Sequence, residues 1–177
     1  MIGVLVSGEG TNLQALLDAR LPVRAVATNR PGCRALARAE TAGVPAAQFP
    51  LDEYPSREQR DEAMADWLVR HGVELVVCAG YMHLLTAAFL DRFPSRIVNV
   101  HPSLLPDFPG ARAIDDALDA GVDTTGVTVH LVDEGLDTGA VIAQQPVPVE
   151  PRETLAERIH SVEHELLPRI VGELCAR

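Results

Sequence analysis

Residues 2–19 read "IGVLVSGEGTNLQALLDA". The first five are a continuous apolar run, the mark of a strand buried on both faces in a parallel sheet covered by helices. "SGEG" ends the run and "LQALLDA" resumes as a helix, so the stretch predicts strand, glycine loop, helix. The rest of the chain repeats the alternation. Residues 23–27 predict a second strand, 33–42 a helix stopped by Gly43, and 46–49 a short strand before Pro50. Ser56 is placed to cap a long helix to His71. Residues 75–78 predict a strand, 86–92 a helix, 97–101 a strand, and 113–120 a helix ending at Gly121. Residues 128–132 and 141–147 predict a β pair around "DEGLDTG", and 154–175 a long closing helix.

Strands alternating with helices predict an α/β fold, Rossmann-like, with a mainly parallel twisted sheet and helices on both faces. The last two strands, joined by a short turn, form an antiparallel addition. With 177 residues and no linker or internal repeat, the chain is expected to be a single domain, 1–177. Ligands of such sheets sit beyond the carboxyl ends of the strands near the switch in strand order. That rule predicts that the loops after Val6, Cys78 and His101 face one crevice.

Composition narrows the function. Apolar residues make up 47% and aromatics 4%, which predicts an aliphatic core. A net charge of −10 argues against a broad nucleic-acid surface, though not against an anionic small ligand held at a helix N-terminus. Cys33, Cys78 and Cys175 are odd in number and form no C-x-x-C, which fits a reducing cytoplasm rather than a disulfide framework. The N-terminus lacks the pattern of a signal peptide, and the longest apolar stretch is too short to cross a membrane. The expected partners are small molecules, without nucleic acid or membrane, on a monomer or homodimer.

Three segments carry candidate chemistry. "SGEGTN" can offer backbone N–H groups and a helix dipole to an anion. Leu13 stands where a dinucleotide fingerprint needs its third glycine, and no P-loop lysine is present, so a single phosphate fits best. The alternative is a tight turn capped by Thr11 or Asn12. In "RIVNVHPSLLPDFPG", residues 96–110, Asn99 and His101 share one face at a strand's end. An amide donor beside a histidine suits oxyanion stabilisation and proton transfer. The alternative is a hydrogen-bonded core histidine. In "DEGLDTG", Asp137 is either a turn residue or a carboxylate that orients His101. A rival site, His160-Ser161-Val162-Glu163-His164, matches the inverted zinc-peptidase pattern, against which stands a solvated helix face.

Taken together, "VLVSGEGTNLQALLDA", "VVCAGYMHLL", "IVNVHPSLLPDFPGA", "GVTVHLVDEGLDTGAVIAQ" and "VEHELLP" resemble the 10-formyltetrahydrofolate-dependent formyltransferase family over almost the whole chain, in its glycinamide ribonucleotide branch. The resemblance implies formyl transfer from 10-formyltetrahydrofolate to a ribonucleotide amine in purine biosynthesis, with no metal. It implies catalysis by Asn99, His101 and Asp137. Gly10, Thr11, Asn12, Leu13, Gln14 and Glu163 match the ribonucleotide contacts. Arg57, Met82, His83, Leu84, Leu85, Asn99, Asp133, Glu134, Gly135, Leu136 and Asp137 match the folate contacts. Departures from the pattern are His83 in place of Arg, Ala140 in place of Pro, Val162 in place of Gln and Arg112 in place of His. Other readings are a 10-formyltetrahydrofolate hydrolase, an aminoacyl-tRNA formyltransferase, a zinc hydrolase, and a non-catalytic nucleotide-binding module.

Overall fold

The computed structural model describes residues 1–176 and falls into two compact units, Met1–Val98 and a second that begins at Asn99. The first contains β1 (Ile2–Val6), α1 (Thr11–Asp18), β2 (Val23–Thr28), α2 (Arg34–Thr41), β3 (Ala46–Gln48), α3 (Arg57–Arg70), β4 (Leu75–Cys78) and α4 (Ala87–Leu90). Its strands run in the order β3-β2-β1-β4, all parallel. Ile2–Val6 is buried at every position, as an apolar run between two neighbours requires. Val4 pairs with Val26 on one side and Val77 on the other. Strand order reverses between β1 and β4, so the switch point lies at the loops after Val6 and Cys78.

The helices of this unit bury aliphatic stripes: Leu13 and Leu16 of α1, Ala35 and Ala39 of α2, Met64, Ala65 and Leu68 of α3. Ser56 caps α3 as expected, its hydroxyl accepting from the Gln59 N–H at 3.3 Å. The cap of α1 is neither Thr11 nor Asn12 but Gly10, at φ 71°. A side chain there would meet Ala35, with an added Cβ 2.7 Å from the Ala35 Cβ, so glycine is what lets the loop rest on α2.

β5 (Ile97–His101) crosses the division between the units. The second unit continues with α5 (Ala113–Ala120), β6 (Thr124–Leu131), β7 (Val141–Pro148) and α6 (Leu155–Cys175). The strand order here is β5-β6-β7, with β6 and β7 antiparallel, so the expected α/β class with an antiparallel C-terminal addition is present. β6 starts at Thr124 rather than 128, and α4 is shorter than the expected 86–92. In β6 and β7, Val129 opposes Ala143 whereas His130 opposes Val141. The skipped residue, Ile142, makes a bulge that changes the local twist beside His130. Pro146 and Pro148 both lie in β7, the last strand of the order. The Leu105–Pro106 and Glu150–Pro151 bonds are cis.

Candidate active site

The two polar residues that interrupt β5 stand one pleat apart, on one face. His101 is 4% exposed, and its Nε2 lies 2.8 Å from the Phe108 carbonyl. A carbonyl only accepts, so Nε2 carries a proton. The other ring nitrogen, Nδ1, faces Asp137 Oδ2 at 3.5 Å. A cationic ring donates to both acceptors; a neutral ring leaves the Nδ1 lone pair facing a carboxylate.

Asp137 stands at φ 55°, a left-handed conformation that aspartate tolerates better than most residues. Its Oδ2 also accepts the Gly110 N–H at 2.8 Å. Its Oδ1 lies 3.6 Å from His130 Nε2. Burial alone pushes this carboxyl up, but His130, the Gly110 N–H and the nearby His101 together outweigh it and hold the pKa below the usual carboxylate range. Asp137 is therefore an anion at neutral pH.

His130 completes the cluster. Its Nδ1 lies 2.7 Å from the Leu131 carbonyl and so bears a proton, while Nε2 faces both Asp137 and Asn99. That nitrogen lies 3.1 Å from the Asn99 amide nitrogen. When Nε2 carries no proton it accepts one amide hydrogen of Asn99, and the second remains to donate elsewhere. The arrangement offers an amide donor, a histidine proton carrier and a fixed anion, which together can stabilise an oxyanion and move a proton.

The turns that follow β5 are pinned to the strands beyond. Thr128 Oγ1 accepts from the Leu105 N–H at 3.1 Å and from Gln144 Nε2 at 2.9 Å, and donates to the Ser103 carbonyl at 2.7 Å. Gln144 also donates to the Leu105 carbonyl. These bonds fix the segment that carries the Phe108 carbonyl to His101. In the following loop, Asp133 accepts from the Gly135 N–H at 3.0 Å and the Thr138 hydroxyl at 2.7 Å, closing its own turn. Glu134 and Leu136 are exposed beside it, and Gly135 is half-buried.

In the first unit, the glycine loop ends in the N-terminus of α1. The first helical bond runs from Gln14 N–H to the Gly10 carbonyl, so Thr11, Asn12 and Leu13 are the residues whose N–H groups a helix leaves without intrahelical acceptors. Glu9 is exposed and pairs with Arg34 at 3.0 Å, turned toward the α2 cations. Arg38 donates to the Glu9 carbonyl at 2.8 Å and to Gln14 Oε1 at 3.1 Å. The loops after Val6 and Cys78 meet as expected: the Met82 N–H donates to Ser7 Oγ at 3.0 Å. Met82 and Leu84 are exposed, 65% and 46%, and Leu85 is buried. His83 is held between Arg60 and Asn29. Arg57 is exposed in the first turn of α3.

Glu163 is buried on α6, whereas His160 is exposed and His164 half-buried. Burial, with His160 nearby, lowers the His164 pKa. Among the described residues, no group of three or more His, Cys, Asp or Glu is placed to hold a metal ion. Cys78 is buried and its thiol is pushed up to about 12, which removes it as a nucleophile at neutral pH.

Two contributors escaped the sequence reading. His130 sits in "GVTVHL", where its alternation with Thr128 on one strand face was the available signal. The Phe108 carbonyl is a backbone atom and has no signature in residue types.

The chain belongs to the formyl transferase family, whose pattern matches residues 1–171. It is 47% identical over 178 residues to phosphoribosylglycinamide formyltransferase of Mycobacterium tuberculosis, covering 97% of this chain and 83% of that protein. Glycinamide ribonucleotide transformylase 1 from Geobacillus kaustophilus superimposes with a TM-score of 0.94 at 45% identity, over 98% of this chain and 97% of that one. The chain is also 41% identical to part of the trifunctional purine biosynthetic protein adenosine-3 of Chironomus tentans, of whose length it spans 13%.

Proposed function

We propose that this chain transfers a formyl group from 10-formyltetrahydrofolate to the amine of 5'-phosphoribosylglycinamide, a step of de novo purine biosynthesis. The observation that carries the reading is the cluster at the end of β5, in which Asp137 faces both His101 and His130 while His130 engages Asn99. The names of the similar enzymes support the substrate pair. The substrate amine attacks the formyl carbon, and the carbonyl oxygen becomes an oxyanion. Asn99 donates its free amide hydrogen to that oxygen, and cationic His101 shares its Nδ1–H, held only loosely by Asp137 Oδ2 at 3.5 Å, with the same oxygen. Asp137 balances the imidazolium charge and accepts the proton lost by the amine, directly or through water. The oxyanion collapses, the C–N bond to the folate breaks, and the folate nitrogen takes that proton from Asp137, directly or through water. The amine attacks the formyl carbon itself, so no covalent enzyme intermediate is formed.

The N–H groups of Thr11, Asn12 and Leu13, behind the turn at Gly10, bind the ribonucleotide phosphate, with Gln14 beside them and Glu163 near the glycinamide end. The folate ring is held by Met82, His83, Leu84 and Leu85 and by Asp133, Glu134, Gly135 and Leu136, with Arg57 near its tail. The enzyme works on small molecules in the cytoplasm as a monomer or homodimer and needs no metal. Among the described residues, no helix is long and apolar enough to cross a membrane. Purified protein supplied with both substrates tests the reading. Formylated ribonucleotide should appear in step with loss of the donor. Donor loss that does not need the ribonucleotide would instead make the chain a hydrolase.

A further inference from the structure

Arg60 of α3 is wholly buried, an unusual place for a guanidinium. Its Nε donates to Asp61 Oδ1 at 2.6 Å, its Nη1 lies 3.2 Å from His83 Nδ1, and its Nη2 is buried with no partner. Asp61, also buried, turns its other oxygen to the Thr86 N–H at 2.8 Å. The opposite side of the His83 ring, Nε2, lies 3.2 Å from the Asn29 amide. As placed, the Asn29 Nδ2 faces the ring and its Oδ1 accepts the Ser7 hydroxyl at 2.5 Å, the same Oγ that accepts the Met82 N–H. Residues 81–86 have no regular strand or long helix of their own; these side chains, from α3 and from the ends of β1 and β2, hold them in place.

The chemistry of the donors fixes the state of His83. A guanidinium can only donate, so Nδ1 must present a lone pair to Arg60. The ring proton then sits on Nε2; Asn29 receives it with its amide reversed from the placement above, its oxygen at Nε2 and its Nδ2 donating to Ser7 Oγ. A protonated His83 has no lone pair for Arg60 and sets a second cation against one that is already buried. Burial, then Arg60 and Arg57, lower the His83 pKa, opposed by Asp61. Tyr81, packed edge-on with ring centroids 6.0 Å apart, and Asn29 bring no charge at neutral pH.

We propose that Arg60 and neutral His83 are positioning residues for the formyl donor: they clamp the Met82–Leu85 loop in its binding conformation, and protonation of His83 releases it. The inference rests on the reading of that loop as folate-binding. It adds Arg60, which no sequence pattern marks, and gives the departure at His83 a consequence. The cation behind this loop is lent by α3 through a titratable ring.

The test compares wild type with His83→Asn, which keeps an acceptor near the Nδ1 position but cannot take up a proton. The KM for 10-formyltetrahydrofolate, the KM for the ribonucleotide and kcat are measured from about pH 8 to about pH 5, across the ordinary histidine pKa of about 6.5. In the wild type the donor KM should rise on acidification, by up to about tenfold per pH unit below the His83 pKa, and more than the ribonucleotide KM. The ratio of donor KM at the two extremes should be far smaller in His83→Asn. Independently of turnover, ¹⁵N NMR should show His83 as the Nε2–H tautomer at neutral pH, titrating below the ordinary value. An Nδ1–H tautomer, or an unchanged KM ratio in the variant, overturns the clamp. If the protein does not use the folate donor at all, the donor reading fails, and the tautomer still decides whether the clamp exists.

Discussion

Asp137 Oδ2 lies 3.5 Å from Nδ1 of His101, the nitrogen left over once the Phe108 carbonyl has engaged Nε2. The pair is aligned by backbone on both sides, since the same oxygen also accepts the Gly110 N–H. Replacing Asp137 by Asn keeps the shape and removes the charge. Turnover should fall by about 10²–10⁴, the span of a lost acid–base partner, while both substrates still bind. Single-turnover formyl transfer with separately measured affinities checks this; turnover within a few-fold of wild type would reduce Asp137 to a turn residue.

The same carboxylate links activity to acid stability. Its pKa is lowered in the folded protein, so it binds a proton more readily when unfolded. The stability it contributes is complete above the unfolded value of about 3.9 and is lost as pH falls through the lower folded value. In Asp137→Asn that part of the acid dependence should vanish. Denaturant midpoints of the two proteins, compared at neutral pH and near pH 3, should lie closer together at the lower pH.

Asn99→Ala removes one oxyanion donor, which typically costs about 10²–10³ in turnover. His130 acts on the same reaction by holding the amide through a contact of 3.1 Å. His130→Leu should therefore lose much less once Asn99 is already absent. A double-mutant cycle on kcat/KM should give a coupling of about 0.5–3 kcal/mol; strictly additive losses would show that His130 does not hold Asn99.

Gly10→Val should weaken ribonucleotide binding more than folate binding, and it should also cost stability. The residue has φ 71° and its Cβ would press on Ala35. Such overpacking costs about 1–3 kcal/mol. Gly8, where a Cβ would meet nothing within 4 Å, is the control for the stability part. Thermal midpoints of Gly10→Val and Gly8→Ala should differ accordingly.

Chelator treatment should leave turnover unchanged, because neither amine attack nor the Asn99–His101–Asp137 group calls for a metal. Stoichiometric zinc that departs together with activity would return the His160–His164 segment to consideration.

Much of the fold was legible because burial leaves a plain record in strands such as Ile2–Val6, whose residues are apolar on both faces. β6 was read four residues short because Thr124, Thr125 and Gly126 look like a turn. Gly126 is in fact a strand residue that needs no side chain: an added Cβ would lie 2.3 Å from the Gln145 carbonyl and 2.6 Å from Leu104. Asn99 and His101 were legible because polar residues at the end of an apolar strand stand out. The orienting contacts were not, since the Phe108 carbonyl and the Gly110 N–H are backbone groups brought in by chain turns. Arg60 gave no signal either: in sequence it is one more charge on a polar helix, and only its burial separates it from Arg57.

The prolines of β7 have a consequence for how the molecule behaves among its neighbours. An end strand displays a row of unused backbone groups, a template on which another chain can lengthen the sheet. Pro146 and Pro148 are two residues apart, so the N–H groups they lack would have pointed the same way. With the ladder to β6 running through Val147 and Gln145, the missing donors are those of the outer margin. An incoming strand finds carbonyls at Pro146 and Pro148 but no hydrogens to match its own, which leaves Gln144 as the outward donor of this stretch. Replacing both prolines by threonine should restore two outward donors and make the protein more prone to associate through this strand.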